Sequence, residues 1–232
     1  NEIIYLNEQM PFSIHKKISV NDFSDPDELK EWTGDDGVNE IKAVTSIANG
    51  PGTVAEGQYC MEIVRGYILF AKTVSVSRKL SSPIDATSAP VLFFSVNGYG
   101  GLPDVTQQFV TVTVEGNGTS YTKKSIFAPN GWNDITIDLS ETAVVSRVEK
   151  ITFTFSNNGV GNKRWGCRYQ LDQIFFAKPF NLEFSKEGDT QGFTAEKGTI
   201  DAKDDCLELG VEDGTSLFVA PDHAYNLSLI HI

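Results

Sequence analysis

Few side chains in this sequence have the spacing that catalysis requires. Glycoside hydrolysis needs a pair of carboxylates, and Asp134 and Asp138 share one face of a predicted strand, but no Glu-x-Asp-x-x-Glu string accompanies them. Neither a Gly-x-Ser-x-Gly elbow nor a His-Glu-x-x-His metal motif occurs. Before the last six residues the histidines are His15 and His223, and neither has a carboxylate in a suggestive position. The sequence therefore predicts that this chain is not itself an enzyme.

Three aromatic residues stand in polar or glycine-flanked segments. Trp165 lies in Asn-Lys-Arg-Trp-Gly, Tyr99 in Asn-Gly-Tyr-Gly-Gly, and Tyr67 directly after a glycine. A large ring there has no predicted sheet to pack against, and loops often carry binding residues. The alternative is a ring folded over the edge of the sandwich. Trp32 and Trp132, in contrast, are predicted to be core residues, because each adjoins a regular element.

The elements that must position these residues are strands. Apolar and polar residues alternate over 109–115, 135–139 and 151–155, as expected for sheets with one face in water. Breaks rich in Asn and Gly separate such segments at hairpin or loop spacing, at 49–52, 97–101, 117–118, 130–131 and 157–161. The pattern predicts an all-β sandwich.

Two stretches of the chain repeat each other. Residues 22–33 and 183–194 both begin with an acidic residue followed by Phe-Ser, and both end in an aromatic residue followed by Thr. A matching strand follows each, at 60–63 and 206–209. In the first copy, Pro26 and a capping pattern predict a helix of at most two turns ending at Trp32.

The repeat predicts a modular array. We expect one complete module at 20–178 and the truncated start of a second β-sandwich module at 179–226, because about 50 residues are too few for a second sandwich. Residues 1–19 are expected to hold one or two strands or the remnant of an upstream domain. Residues 227–232 resemble a translated sequencing-library adapter and are expected to lie outside the fold, the alternative being a short apolar strand.

Charge and hydropathy limit the partners. A formal net charge of -12 argues against nucleic acid, since phosphate backbones are bound by clustered Lys and Arg. No apolar run approaches the ~20 residues that span a bilayer. Acidity suits neutral or cationic partners and hard metal ions, or serves only to keep a secreted protein soluble.

The three cysteines do not form a disulfide framework. Cys60 and Cys206 occupy equivalent places in the repeat, which indicates a position required by the fold. A bridge between Cys60 and Cys167 within the first module is an alternative, since both lie near predicted strand ends. No spacing indicates a zinc site.

A fixed order of motifs runs through residues 20–178. It comprises Asp22-Phe23 with Trp32, then Glu-Gly-Gln-Tyr-Cys-Met-Glu-Ile at 56–63, Ser-Pro-Ile-Asp-Ala at 82–86, Leu-Phe-Phe-Ser-Val at 92–96, Asn-Gly-Trp-Asn-Asp-Ile-Thr-Ile-Asp-Leu at 130–139 and Tyr-Gln-Leu-Asp-Gln-Ile-Phe at 169–175. This order resembles the galactose-binding-like jelly roll of carbohydrate-binding modules attached to secreted bacterial glycoside hydrolases. The resemblance is moderately specific for the fold and weakly specific for a ligand, so function must be argued from the site.

The resemblance implies a structural calcium ion. In the resembled family a carboxylate of a Leu-Asp-x-Ile motif binds the ion, and in this sequence that residue is Asp172. Calcium takes six to eight oxygen ligands, and Asp22, Asp25 and Glu56 could supply some of the others. Many relatives have Glu directly after the Phe of the first strand, where this chain has Ser24 followed by Asp25. The alternative is that Asp172 only accepts hydrogen bonds at a strand end.

The resemblance also implies a sugar site, in which a ring stacks on the C–H face of a pyranose and polar side chains read its hydroxyls. The predicted ligand-binding residues are Trp165, Tyr99, Tyr67, Arg164, Arg168, Asn97 and Gln107. We predict a non-catalytic, extracellular or cell-surface module that tethers a larger secreted enzyme or surface protein to polysaccharide or oligosaccharide. The alternative is a structural spacer or adhesion module that packs against neighbouring domains of its chain and binds no glycan.

Overall fold

Alternating apolar residues form antiparallel strands in each part of the chain that the structure describes. The computed structural model describes residues 3–6, 14–47, 52–65, 68–69, 73–98, 107–158, 164–165, 167–179, 193–195, 199–203, 206–210 and 219–221. Contacts divide the chain into one unit of Lys17–Ala177 and a second that joins Asn1–Lys16 to Lys178–Ile232.

In the second unit, the first strand of the chain pairs with a strand near its end. The three-stranded sheet has the order β1 (Ile3–Leu6), β17 (Cys206–Gly210), β16 (Thr199–Lys203), and β15 (Phe193–Ala195) pairs with β18 (Val219–Pro221). The strand predicted at 206–209 is thus present, paired from Ile3 opposite Gly210 to Leu6 opposite Leu207.

The first unit is a β-sandwich jelly roll of two sheets, as predicted. The five-stranded sheet has the order β10 (Thr119–Phe127), β9 (Gln108–Gly116), β12 (Val148–Asn157), β7 (Val74–Ile84), β3 (Trp32–Gly34). The six-stranded sheet has the order β11 (Asn133–Asp138), β8 (Val91–Gly98), β14 (Arg168–Pro179), β5 (Cys60–Arg65), β4 (Val38–Val44), and β2 (Ile14–Asn21) also pairs with β14. A further pair joins β6 (Ile68–Leu69) to β13 (Arg164–Trp165).

The core lies between the inward faces of the two sheets. On β9 every second residue from Gln108 to Gly116 is buried, so the alternation in the sequence corresponds to alternating faces. Aromatic rings join the sheets: Phe94 meets Phe153 edge to face at 5.0 Å, and Phe155 stacks on Tyr169 at 4.5 Å between ring centroids. Trp32 is buried and packs 5.9 Å from Phe153, which confirms its predicted core role.

The predicted short helix is present, but it is a 3₁₀ helix spanning Pro26–Glu31. Asp25 caps it by accepting a hydrogen bond from the Asp27 N–H at 2.9 Å, and Pro at the first position suits the fixed φ of that residue. A second 3₁₀ helix, Ala143–Ser146, was not predicted. Among the described residues, no helix has the length and apolar character to cross a bilayer.

Cys60 and Cys167 are buried free thiols, so the bridge considered between them is not formed. The register of β5 and β14 explains this, because it pairs Met61 with Leu171 and Val64 with Arg168. Cys60 and Cys167 therefore lie near opposite ends of the paired segment, too far apart for the Cα separation of up to ~7 Å that a disulfide tolerates.

Candidate functional site

The outer face of the six-stranded sheet carries a row of polar side chains across four strands. The register places Lys42 of β4 beside Glu62 of β5, Glu62 beside Gln170 of β14, and Gln170 beside Asn97 of β8. We call these four residues the polar row. Glu62, Gln170 and Asn97 are at most 3% exposed, which is unusual for polar groups on the outer face of a sheet.

Hydrogen bonds run in one direction along the polar row. Asn97 Nδ2 donates to Gln170 Oε1 at 2.7 Å, and Gln170 Nε2 donates to Glu62 Oε2 at 2.9 Å. The other oxygen of Glu62 lies 3.5 Å from Lys42 Nζ and 3.6 Å from an Arg168 guanidinium nitrogen. A buried carboxylate therefore holds two half-exposed cations at the rim of the sheet face.

The polar row ends in an acceptor without a partner. Asn97 Oδ1 is buried and receives no hydrogen bond from any described residue. An unsatisfied buried acceptor costs about 1–3 kcal/mol. A buried water molecule that donates to this oxygen would therefore be favourable.

A second polar row lies beside the first. It contains Asp172 of β14, Ser95 of β8 and Asp134 of β11, in register with one another. Ser95 Oγ donates to the exposed Asp134 carboxylate at 2.6 Å. Asp172 is fully buried, and burial raises its pKa to about 6, against the opposing effect of the N–H groups that donate to it.

Residues 52–59, which we call the strap, cross this part of the sheet face. The backbone N–H groups of Ala55 and Glu56 donate to Asp172 Oδ2 at 3.0 and 3.1 Å. The indole Nε1 of Trp132 donates to the carbonyl of Thr53 at 2.9 Å. The strap therefore connects a buried carboxylate of β14 to an aromatic ring at the start of β11.

Trp132 is only half-buried, so the prediction that it belongs to the core is wrong. It directly precedes Asn133, which pairs with Val96, the neighbour of Asn97. A partly exposed indole thus stands close to one end of the polar row, and the rim cations Lys42 and Arg168 mark the other. An aromatic plane beside amide, carboxylate and cationic groups suits a polar ligand with an apolar face.

No protein-family model and no curated protein matches this sequence. Among solved structures, a family 28 carbohydrate-binding module specific for non-crystalline cellulose matches with a TM-score of 0.51 and 12% identity, over 72% of this chain and 97% of that one. The family 11 module from Clostridium thermocellum in complex with a β-1,3-1,4-mixed-linked tetrasaccharide matches at 0.46 and 12%, over 72% and 97%. An exo-β-agarase matches at 0.49 and 14%, over 70% of this chain and 25% of that one.

The fold is that of a carbohydrate-binding module. At such low identity the match shows the fold alone, and the resemblance expected from the sequence is confirmed at that level. Function in the carbohydrate-binding-module fold depends on which surface residues are present, so the outer sheet face must supply the argument.

The module brings two of the predicted ligand-binding residues together. Asn97 belongs to the polar row, and Arg168 lies beside Glu62. Gln107 does not join them: it is exposed before β9, and its N–H donates to Asn158 Oδ1 at 3.2 Å. The backbones of Arg164 and Trp165 form β13, while their side chains, Tyr67, Tyr99 and residues 227–232 lie outside the described part of the structure. These roles stay predictions.

The four carboxylates predicted to bind calcium do not come together in the module. Among the described residues, no three His, Cys, Asp or Glu side chains form a group that could hold a metal. Asp22 and Asp25 accept hydrogen bonds from the nearby N–H groups of Ser24 and Asp27, and the contact between Ser24 and Asp22 lowers the pKa of Asp22.

Both carboxylate oxygens of Asp172 accept backbone hydrogen bonds. Oδ2 accepts from Ala55 and Glu56, and Oδ1 accepts from Gln173 N–H at 2.9 Å. A carboxylate has about four acceptor positions, so one is left. These contacts are of the kind that the alternative expects, although they lie at a register shift within β14 and not at a strand end. A structural calcium ion in this unit stays a prediction, which a thermal melt with and without EDTA tests.

Trp132 is the residue that sequence reasoning missed, although a signal was present. Ile135 and Ile137 are the inward residues of β11, so Asp134 and Asp138 face outward. Trp132 has the same parity as the two aspartates. Because side chains alternate strictly along a strand, parity predicts an outward Trp132 where its position before an apolar strand had predicted a core residue.

Proposed function

We propose that the Lys17–Ala177 unit is a non-catalytic module that binds a neutral polysaccharide or oligosaccharide on the outer face of its six-stranded sheet. In its parent protein it would tether a larger secreted enzyme or surface protein to that polysaccharide. The observation that carries the proposal is the half-exposed Trp132 beside the end of a buried polar row. The ring offers a plane for the C–H face of a sugar, and the rim groups offer hydrogen bonds to its hydroxyls.

The buried residues act as a foundation for the rim and do not themselves touch the sugar. Glu62 is 4% exposed in its side chain, whereas Lys42 and Arg168 are 38% and 51% exposed. Glu62 contacts both cations, and Glu40 Oε2 lies 3.4 Å from Lys42 Nζ, so two carboxylates balance the two positive charges. The rim therefore presents donors with little net positive charge, which favours uncharged hydroxyls over carboxylates or sulfates.

Catalysis on this face has no support. The exposed Asp134 has a fixed contact with Ser95, and Glu62 is buried and shared between two cations and an amide. A hydrolase needs an acid and a base with distinct environments on either side of a scissile bond. The described carboxylates on this face serve as hydrogen-bond acceptors within the protein.

Calorimetric titration of the full chain with soluble neutral polysaccharides tests the proposal. The panel should include non-crystalline cellulose derivatives, mixed-linked β-glucan, mannan, xylan and agarose. Covering ~60–100 Å² of indole at ~25 cal/mol per Å² supplies about 1.5–2.5 kcal/mol, so Trp132→Ala should weaken binding about tenfold or more.

Phe109→Ala is the matched control. Phe109 is a half-buried aromatic residue on the outer face of the other sheet, where the Lys124 ammonium lies 4.0 Å from the centre of its ring. This variant should bind as the parent does. An equal loss of glycan affinity in both variants would show that the site lies elsewhere. If the folded protein, shown by a cooperative melt, binds no polysaccharide of the panel, the structural-spacer alternative is favoured.

A further inference from the structure

The strap has a defined anchor on the sheet. Asp172 Oδ2 accepts from two consecutive backbone N–H groups of the strap, at Ala55 and Glu56, across more than a hundred residues of sequence. Its other oxygen accepts from Gln173 N–H, and Gln173 adopts a left-handed φ of 52° where the β14 register shifts. One buried carboxylate thus fixes both the strap and an irregularity in the strand below it.

A carboxylate suits this position better than its neutral analogue. The two carboxylate oxygens can accept hydrogen bonds from all three N–H groups. In the amide analogue an NH₂ group replaces one oxygen, and this donor would face backbone N–H groups. Burying an ionised Asp is costly unless it is hydrogen-bonded. The three backbone donors offset part of that cost.

The strap in turn fixes the indole of Trp132. The Thr53 carbonyl accepts from Trp132 Nε1, and Thr53 lies two residues before the first anchored N–H group. At the start of the strap, Gly52 has a φ of 81° and its carbonyl accepts from Ile47 N–H at 3.4 Å. Between the carbonyl that accepts from the ring and the first N–H that Asp172 anchors there is a single residue, Val54.

We propose that Asp172 is a positioning residue for glycan binding, which anchors the strap without a metal ion so that the strap holds the Trp132 indole at the rim. This inference rests on the proposed function, because it assigns a role in that same site. Asp172 acts through Ala55, Glu56 and Thr53 and does not contact the sugar.

The first test needs no glycan. In ¹⁵N-labelled full chain, the indole N–H signal of Trp132 is assigned by its loss in Trp132→Phe. Asp172→Asn should shift that signal and speed its hydrogen exchange at least tenfold, together with the amides of Ala55 and Glu56. Asp138→Asn is the matched control, since Asp138 also accepts a backbone N–H, from Ser140 at 2.8 Å, but does not touch the strap.

The second test asks whether Asp172 affects glycan affinity through Trp132. If Asp172 acts through Trp132, then Asp172→Asn should weaken glycan binding, and the double variant with Trp132→Ala should bind no worse than Trp132→Ala alone. Additive losses would overturn the inference. An unchanged indole signal in a folded Asp172→Asn protein would overturn it too, whether or not a glycan had been found.

If Asp172→Asn does not fold, a variant that keeps Asp172 tests the same contact. Ala55→Pro removes one of the two strap N–H donors and leaves the buried carboxylate in place. It should move the Trp132 signal in the same direction by a smaller amount. Calcium or EDTA should leave the Ala55 and Glu56 amides unchanged, and a calcium-dependent shift of both would refute the metal-free anchor.

Discussion

Glu62 has two roles in the polar row: it accepts a hydrogen bond from Gln170, and it forms ion pairs with Lys42 and Arg168. Two replacements of Glu62 separate these roles. Glu62→Met fills a similar volume but leaves Gln170 Nε2 buried without an acceptor, which costs about 1–3 kcal/mol. Lys42 and Arg168 each lose a half-exposed ion pair, worth about 0–1 kcal/mol. Removal of the desolvated charge offsets part of this loss, so we expect a net destabilisation of about 2 kcal/mol. Glu62→Gln keeps an acceptor for Gln170 and should cost about 1 kcal/mol or less.

Urea denaturation of the parent and both variants measures these free energies of unfolding, with the slope against urea checked for constancy. The expected order of stability is parent, Glu62→Gln, Glu62→Met. Buried ion pairs in other proteins are sometimes less stable than apolar replacements. A Glu62→Met protein as stable as Glu62→Gln, or more stable, would therefore refute the claim that Glu62 stabilises the fold as the acceptor for the buried Gln170 amide.

Two further predictions concern the scaffold. Gly116→Ala should destabilise the module by about 2 kcal/mol or more, because the new Cβ would lie 1.8 Å from the Arg147 carbonyl oxygen. In the control Gly131→Ala no atom lies within 4 Å of the new Cβ, so the urea midpoint should change little. Burial raises the pKa of Cys60 to about 12 and also raises that of Cys167, so neither thiol should be alkylated in the folded protein at pH 8, as mapped by mass spectrometry. Because the folded-state pKa of Cys60 exceeds the ~8.5 of an exposed thiol, its contribution to stability is fully present below that pH and lost as the pH rises toward 12; a Cys60→Ser protein with the same pH profile would contradict this.

Local patterns in the sequence were sufficient to predict several of the strands. The alternation at 109–115, 135–139 and 151–155 lies within β9, at β11 and within β12, because a strand with one buried face must alternate. The same reasoning found the helix near Pro26 but not its 3₁₀ form, which depends on how the following strand leaves at Trp32. Element types follow from local pattern, whereas their ends depend on tertiary packing.

The polar row could not have been predicted from one sequence. Asn97 and Gln170 are 73 residues apart, and Gln170 and Glu62 are 108 apart. Their contact depends on the register between strands, which no local pattern specifies. The sequence predicts Asn97 to be a ligand-binding residue in a loop, whereas the structure places it, buried, in β8.

The polar row joins the fold to the proposed site, because the same side chains serve both. Strand side chains alternate with a period of two, so a one-residue slip of β5 or β14 would turn Glu62 or Gln170 into the core and Met61 or Leu171 out of it. A slip of β5 would bury the charge of Glu62, and a slip of β14 the amide of Gln170, without their partners, which is costly. The polar row thus favours one register, and that register is also the one that places two cations and an indole at the rim. Residues that never touch a sugar should therefore also affect glycan affinity, by fixing the register that positions those that do.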